Sequence, residues 1–140
     1  MESKPTFILV VAAAIYDREE RVLLQQCPPN KRHAGKWEFP GGKVDPFELP
    51  RFALCREVRE ELSLELDIST IVPAGFADEA PAEGQSGLVL MLYSSHHWVG
   101  VPQGLEGQNW NWFDLAEAGS LDMPGMDQAL LAGLVRARSG

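Results

Sequence analysis

Cysteine is scarce in this chain, with Cys27 and Cys55 the only two among 140 residues. They form no Cys-x-x-Cys pair and have no second ligand at metal spacing, which excludes a disulfide framework and a cysteine-based metal site. Two idle thiols suit a reducing compartment. Basic residues are also few, 12 Lys and Arg against 20 Asp and Glu, giving a formal net charge of −8. Nucleic-acid polymers and anionic membranes are bound through basic patches, so neither is an expected partner. Long apolar runs are missing too. The longest, residues 7–16, is about half of the ~20 residues a spanning helix needs. The leader Met-Glu-Ser-Lys-Pro carries no net positive charge, so the run does not read as an export signal. The expectation is a cytoplasmic protein, monomer or homodimer, with a buried strand at 7–16.

What is present is ordinary for a folded domain: 45% hydrophobic and 23% charged residues. The length suits one domain, expected to span residues 1–140. Residues 6–16 and 21–26 read as two strands joined by a polar turn, a hairpin. The Pro- and Gly-containing stretch 27–36 reads as a loop, and Trp37-Glu38-Phe39 as a short extended piece that ends at Pro40-Gly41-Gly42. Over Pro50–Leu62, Leu54, Val58 and Leu62 recur every four residues, which predicts a helix with Pro50 in its first turn. Leu49 is a poor N-cap, leaving Glu48 as the candidate cap. Stretches 64–77 and 88–99 read as strands around a loop at 78–87. A second loop covers 100–108, Trp110, Trp112 and Phe113 lie on a short strand, and 126–138 forms a terminal helix. The fold class is α/β, a mixed sheet covered by helices.

Chemistry concentrates on the 50–62 helix. Glu57, Glu60 and Glu61 stand at i, i+3 and i+4, one turn apart on one side. Like charges at this spacing cost a helix about 0.2–0.5 kcal/mol per pair, so something else must favour them. Hard divalent cations prefer such oxygen ligands and reverse the local sign, letting an acidic protein bind a phosphorylated molecule. Taken alone the triplet reads first as a solvated acidic face relieved by Arg56 and Arg59, since acidic helix faces are common.

The residues upstream change that reading. From Gly42 the chain runs five residues to Glu48, then seven to Arg56-Glu57-Val58-Arg59-Glu60-Glu61-Leu62-Ser63-Leu64. This resembles the Nudix box, Gly-x5-Glu-x7-Arg-Glu-U-x-Glu-Glu-x-Gly-U with U aliphatic. Gly42, Glu48, Arg56, Glu57, Val58, Glu60, Glu61 and Leu64 agree with it, and Ser63 stands where the family has glycine. The preceding Trp37-Glu38-Phe39-Pro40-Gly41-Gly42-Lys43 resembles the same segment of the MutT-like branch.

The resemblance implies an α/β/α sandwich and a nucleoside triphosphate pyrophosphohydrolase using Mg²⁺ or Mn²⁺, with a small-molecule nucleotide as partner. By the same resemblance Gly41 (through its carbonyl), Glu57, Glu60 and Glu61 bind metal. Glu57 is the general base, Arg56 orients the carboxylates together with Glu48, and Lys43 contacts phosphate. Glu106, on the 100–108 loop, reads either as a further metal ligand or as an exposed glutamate. Phe39 is a candidate to stack on the base. Where the branch reads its base with Asn or Asp, this chain has Met126, or Asp127 if the register slips by one. Where it often has Arg, this chain has Cys27. An oxidised guanine nucleotide is thus weakened as substrate, and a cytidine nucleotide competes. A non-catalytic nucleotide-binding domain is the further alternative.

Overall fold

A computed structural model describes residues 7–139. Its elements are strands β1 (Phe7–Ile15), β2 (Val22–Gln26), β3 (Trp37–Glu38) and β4 (Gly41–Lys43), helix α1 (Pro50–Leu62), strands β5 (Glu65–Leu66), β6 (Val72–Glu79), β7 (Gly87–Ser95), β8 (Trp98–Val99) and β9 (Asn109–Phe113), and helices α2 (Leu115–Ala118) and α3 (Gly125–Ser139).

The apolar run does become a central strand. In the mixed four-stranded sheet β4-β1-β7-β6, β1 pairs parallel with β7 along nine residues and antiparallel with β4. A strand covered on both faces needs apolar side chains throughout, not alternating ones. On one face Ala12 and Ala14 join Leu90, Leu92 and the α3 residues Leu130, Leu131 and Leu134. On the other, Val11, Ala13 and Ile15 pack with Leu54, Val58 and Leu62 of α1. This is the expected α/β/α layering, with α1 and α3 on opposite faces. Leu54, Val58 and Leu62 are wholly buried, each worth about 1.5–3 kcal/mol, so the four-residue stripe fixes which side of α1 faces away from the sheet.

The expected hairpin of the first two long strands is incorrect. β1 and β2 meet only at the Tyr16–Val22 bridge. Beyond it β2 enters a separate antiparallel sheet, β3-β2-β9. The polar 17–20 turn is real, closed by Asp17, whose carboxylate accepts from the Arg21 backbone N–H and side chain. β1 is instead occupied on both edges by β4 and β7, which leaves no edge for β2. Smaller corrections follow. Stretch 64–77 splits into β5 and β6, 88–99 into β7 and β8, and the short α2 went unread.

The α1 limits fall where the stripe places them, but Glu48 does not cap it. Leu49 is the N-cap and contributes no side-chain bond, because both Glu48 oxygens are taken by Arg56. At the other end Ser63 adopts the left-handed conformation, φ 62° and ψ 31°, and its N–H bonds the Arg59 carbonyl. Serine therefore does what the family's glycine does, at a cost of about 1–2 kcal/mol in backbone strain.

Candidate active site

The site forms where β4 passes α1. Both glycines of β4 are needed for closeness, not for unusual dihedrals. A Cβ on Gly41 would collide with the Val11 carbonyl, and one on Gly42 with the Glu57 carboxylate. The strand therefore lies directly against the helix, and the Gly41 N–H donates to Glu61 Oε1 at 3.0 Å.

Arg56 organises the carboxylates. Its Nε and one terminal nitrogen grip both oxygens of Glu48 at 2.9 Å, a bidentate pairing. The other terminal nitrogen donates to Glu57 Oε1 at 2.9 Å and to Glu60 Oε2 at 3.3 Å. The hydrogen bonds from Arg56 hold Glu48 below the usual carboxylate range, and those to Glu48 push the guanidinium pKa up. The three clustered glutamates are not equivalent: Glu60 is exposed, Glu57 half-buried and Glu61 only 9% exposed. Burial raises the Glu57 pKa, and Glu60 and Glu106 add to it against the opposing pull of Arg56. Burial, then Glu57 and Glu106, push Glu61 up to about 9, against hydrogen bonds from Gly41 and Gln25.

Glu106 is brought to this cluster by a buried amide that the sequence reading missed. Gln108 donates from Nε2 to the Glu61 carbonyl at 2.9 Å and to Gln25 Oε1 at 3.0 Å. Its Oε1 accepts from the Glu106 N–H at 2.9 Å. The 100–108 loop is thereby fastened to the last turn of α1, where Gln103 and Leu105 also donate to the free carbonyls of Leu62 and Glu61. Gln108 closes the loop before β9, where no local pattern marks a residue as buried.

A cavity of about 150 Å³ adjoins the carboxylates, lined by Gln25, Gln26, Cys27, Lys31, Glu38, Glu61, Glu106 and Gln108. None of Phe39, Lys43, Met126 and Asp127 lines it. Phe39 is 4% exposed within the core, so its ring is not available for stacking. Met126 packs, half-buried, against the same core. Asp127 is buried and accepts the Phe39 N–H at 3.0 Å, tying α3 to the strand before β4. Lys43 is exposed beside the cluster, and Arg56 donates to its carbonyl. Glu38 faces the cavity because strand side chains alternate. Burial, then Asp127, push its pKa to about 7, so near neutrality it offers both a donor and an acceptor. Trp110 and Trp112 pack against the core, with Trp112 stacked on Trp98. A larger concavity, about 1130 Å³, borders Tyr16, His96 and Trp98 and includes none of the clustered glutamates, whereas Glu61 and Glu106 line the smaller one.

The donor set suits a hard divalent cation. After burial, Glu60 and Glu106 raise the Glu57 pKa against Arg56, and Glu57 and Glu106 raise that of Glu61 against hydrogen bonds from Gly41 and Gln25. Among the described residues no three such groups converge on one point as they stand. Arg56 draws Glu57 and Glu60 to itself, and Gly41 holds Glu61.

A carboxylate-lined cleft on a mixed sheet, with an arginine-ordered helix beside a glycine strand, defines an enzyme for phosphoric anhydride bonds. The chain belongs to the NUDIX domain family, whose model matches residues 6–133. It is similar to CTP pyrophosphohydrolase of Escherichia coli (strain K12), 36% identical over 134 residues that cover 94% of this chain and 95% of the relative. It is similar as well to 8-oxo-dGTP diphosphatase of Haemophilus influenzae, 35% identical over 108 residues, 76% of each chain. The solution structure of the E. coli ORF135 protein superposes with a TM-score of 0.83 at 33% identity, over 96% of this chain and 93% of that one. The protein is a Nudix hydrolase acting on nucleotides. Among the described residues, no helix is long and apolar enough to cross a membrane.

Proposed function

We propose that this chain, acting as one catalytic unit over residues 1–140, hydrolyses a nucleoside triphosphate to the monophosphate and pyrophosphate. The supporting observation is the cluster of buried Glu61, half-buried Glu57 and exposed Glu106 beside the Gly41–Gly42 strand. Carboxylates in such a place are costly unless a cation joins them. The Gly41 carbonyl, Glu57, Glu60 and Glu61, with Glu106 from its loop, are the residues that would hold Mg²⁺ or Mn²⁺. When bound, such an ion neutralises phosphoryl oxygens and lowers the pKa of water.

The protein's own groups supply the rest. Glu57 takes the proton of the attacking water, and its raised pKa makes it a better base than a solvated glutamate. Water oxygen bonds to phosphorus, the bridging P–O bond breaks, and the departing phosphate keeps the electron pair. Arg56 fixes Glu57 and Glu60 in one orientation while Glu48 fixes Arg56. Lys43, exposed next to β4, is placed to meet a phosphate oxygen.

Base choice rests on the small cavity. Its polar lining of Gln25, Gln26, Lys31 and Glu38 suits a pyrimidine edge with mixed donors and acceptors. The similarity to a CTP pyrophosphohydrolase supports a cytidine nucleotide. The similarity to an 8-oxo-dGTP diphosphatase supports an oxidised purine triphosphate as the second reading. Met126 and Asp127, engaged in the core, leave Glu38 as the cavity carboxyl outside the metal cluster that can meet either base. The test is a panel of cytidine, normal and oxidised deoxynucleoside triphosphates with Mg²⁺, resolving monophosphate and pyrophosphate. Inorganic phosphate as the product would overturn the cleavage point. Equal turnover of every base would overturn the cavity's role.

A further inference from the structure

The 100–108 loop carries Glu106, yet apolar packing does little to hold it. Val101 and Leu105 are both exposed, so hydrogen bonds decide where the loop sits. Its tip is a tight turn over residues 104–107, closed by the Gly107 N–H on the Gly104 carbonyl at 3.1 Å. Gly107 takes a left-handed φ of 79°, which suits glycine. A Cβ on Gly104 would collide with the Gln108 carbonyl, so the turn lies folded back onto Gln108.

Gln108 is one half of a buried amide pair. Side chains alternate along β2, so Gln25 follows Leu23 onto the face where Leu23 joins Leu54 and Val58 of α1 in the core. An apolar side chain would pack there without needing a partner. Instead Gln25, Glu61 and Gln108 make up three of the five buried polar or charged residues among those described, and one chain of hydrogen bonds satisfies all three. The Glu106 N–H donates to Gln108 Oε1 at 2.9 Å. Gln108 Nε2 donates to the Glu61 carbonyl at 2.9 Å and to Gln25 Oε1 at 3.0 Å. The Gln25 amide in turn bonds the Glu61 carboxyl, and with its oxygen already taken its NH₂ group is the donor. The two halves of the cluster are therefore held by different means. Arg56 grips Glu57 and Glu60 by ion pairs, whereas neutral groups hold Glu61 and the Glu106 backbone. A neutral amide orients a carboxylate without discharging it, leaving the full charge for a cation.

Building on the metal-dependent hydrolase reading above, we infer that Gln25 and Gln108 are positioning residues, a neutral relay that fixes the loop carboxylate Glu106 against Glu61 so that the two hold one divalent ion as a pair. Breaking either amide link releases the loop, and Glu106 then contributes to the ion no more than a solvated glutamate would.

The test reads the dissociation constant of Mn²⁺ without nucleotide, from the electron paramagnetic resonance of the free ion, with urea denaturation to confirm folding. Gln25→Met and Gln108→Met keep side-chain length and remove the amide. Each should weaken Mn²⁺ binding at least about tenfold, the lower end for groups that orient metal ligands. The double variant should bind no more weakly than Gln108→Met, because one chain is broken in either case. Glu106→Gln should lose as much, and adding Gln108→Met to it should change nothing further. Asn109→Ala removes the exposed Asn109–Gln26 amide bond next along the same strands and should leave the affinity as it is. If neither methionine variant folds, hydrogen exchange on the wild type decides: saturating Mg²⁺ should slow exchange of the Glu106 N–H at least about fivefold, and an unchanged rate would overturn the relay. Unchanged affinity in both methionine variants, multiplied losses in Glu106→Gln with Gln108→Met, or an equal loss in Asn109→Ala would each overturn it while sparing the hydrolase reading. A wild type that binds no Mn²⁺ and turns over triphosphate in EDTA would overturn the metal reading as well.

Discussion

Gly42→Ala separates the chemistry of the site from the stability of the fold. A methyl at this position would lie 2.8 Å from Glu57 Oε1 and closer still to the other carboxylate oxygen, where ordinary contact begins at 3.4 Å. The obstructing group is the far end of a flexible side chain, so it gives way instead of the backbone. Backing off by about 1 Å is enough, and displacement of that size at a catalytic group costs about 100-fold in rate. Stability should hardly move. Losing the Glu57–Arg56 hydrogen bond costs about 1 kcal/mol, and replacing glycine with alanine at an ordinary φ returns about 0.4–1 kcal/mol. Gly41→Ala is the contrasting case, because its methyl meets the Val11 carbonyl, and neither backbone can retreat without opening the β1–β4 pairing. Urea denaturation and steady-state triphosphate hydrolysis should therefore show Gly42→Ala folded and about 100-fold slower, and Gly41→Ala poorly folded. A Gly42→Ala enzyme within threefold of the wild type would refute the placement of Glu57 in the reaction.

Two further outcomes are expected. Asp127 has its pKa raised by burial from 3.8 to about 6, so the folded state binds its proton more tightly than the unfolded one. Stability from this group is greatest below pH 4 and is lost as pH rises to about 6, a difference of about 3 kcal/mol at roughly 1.36 kcal/mol per unit. Asp127→Asn keeps an acceptor for the Phe39 N–H, so urea titrations should find it more stable than the wild type at pH 7, with the gain shrinking toward pH 4. A pH-independent difference would contradict the burial argument. Ser63→Gly removes left-handed strain of about 1–2 kcal/mol but restores unfolded-state entropy of about 0.4–1 kcal/mol. Calorimetry should find a net rise in Tm of about 2–4 °C.

Much of this was legible from the chain because the elements that carry it are dictated locally. The four-residue stripe of Leu54, Val58 and Leu62 placed α1 at Pro50–Leu62, and the unbroken apolar run marked β1 as a buried central strand. The grouping of Gly41, Gly42, Arg56 and the glutamates was what the resemblance to the Nudix box implied, and hydrogen bonds join Gly41 to Glu61 and Arg56 to Glu57 and Glu60. What escaped depended on contacts distant in sequence. Whether β1 pairs with β2 is decided by β4 and β7, which take both its edges. Gln108 and Gln25 join parts of the chain 83 residues apart, and nothing in their local sequence announces a buried amide pair. Phe39 and Asp127 were read as facing substrate, yet the hydrogen bond between them belongs to the core, and the adjacent Glu38 faces the cavity instead.

The glutamate cluster is tested most directly by metal titration of activity. Pyrophosphate release from the preferred triphosphate should be absent in EDTA, restored by millimolar Mg²⁺ or Mn²⁺, and reduced at least about 100-fold in Glu57→Gln at saturating metal. Full turnover in EDTA, or a Glu57→Gln enzyme as fast as the wild type, would contradict the account.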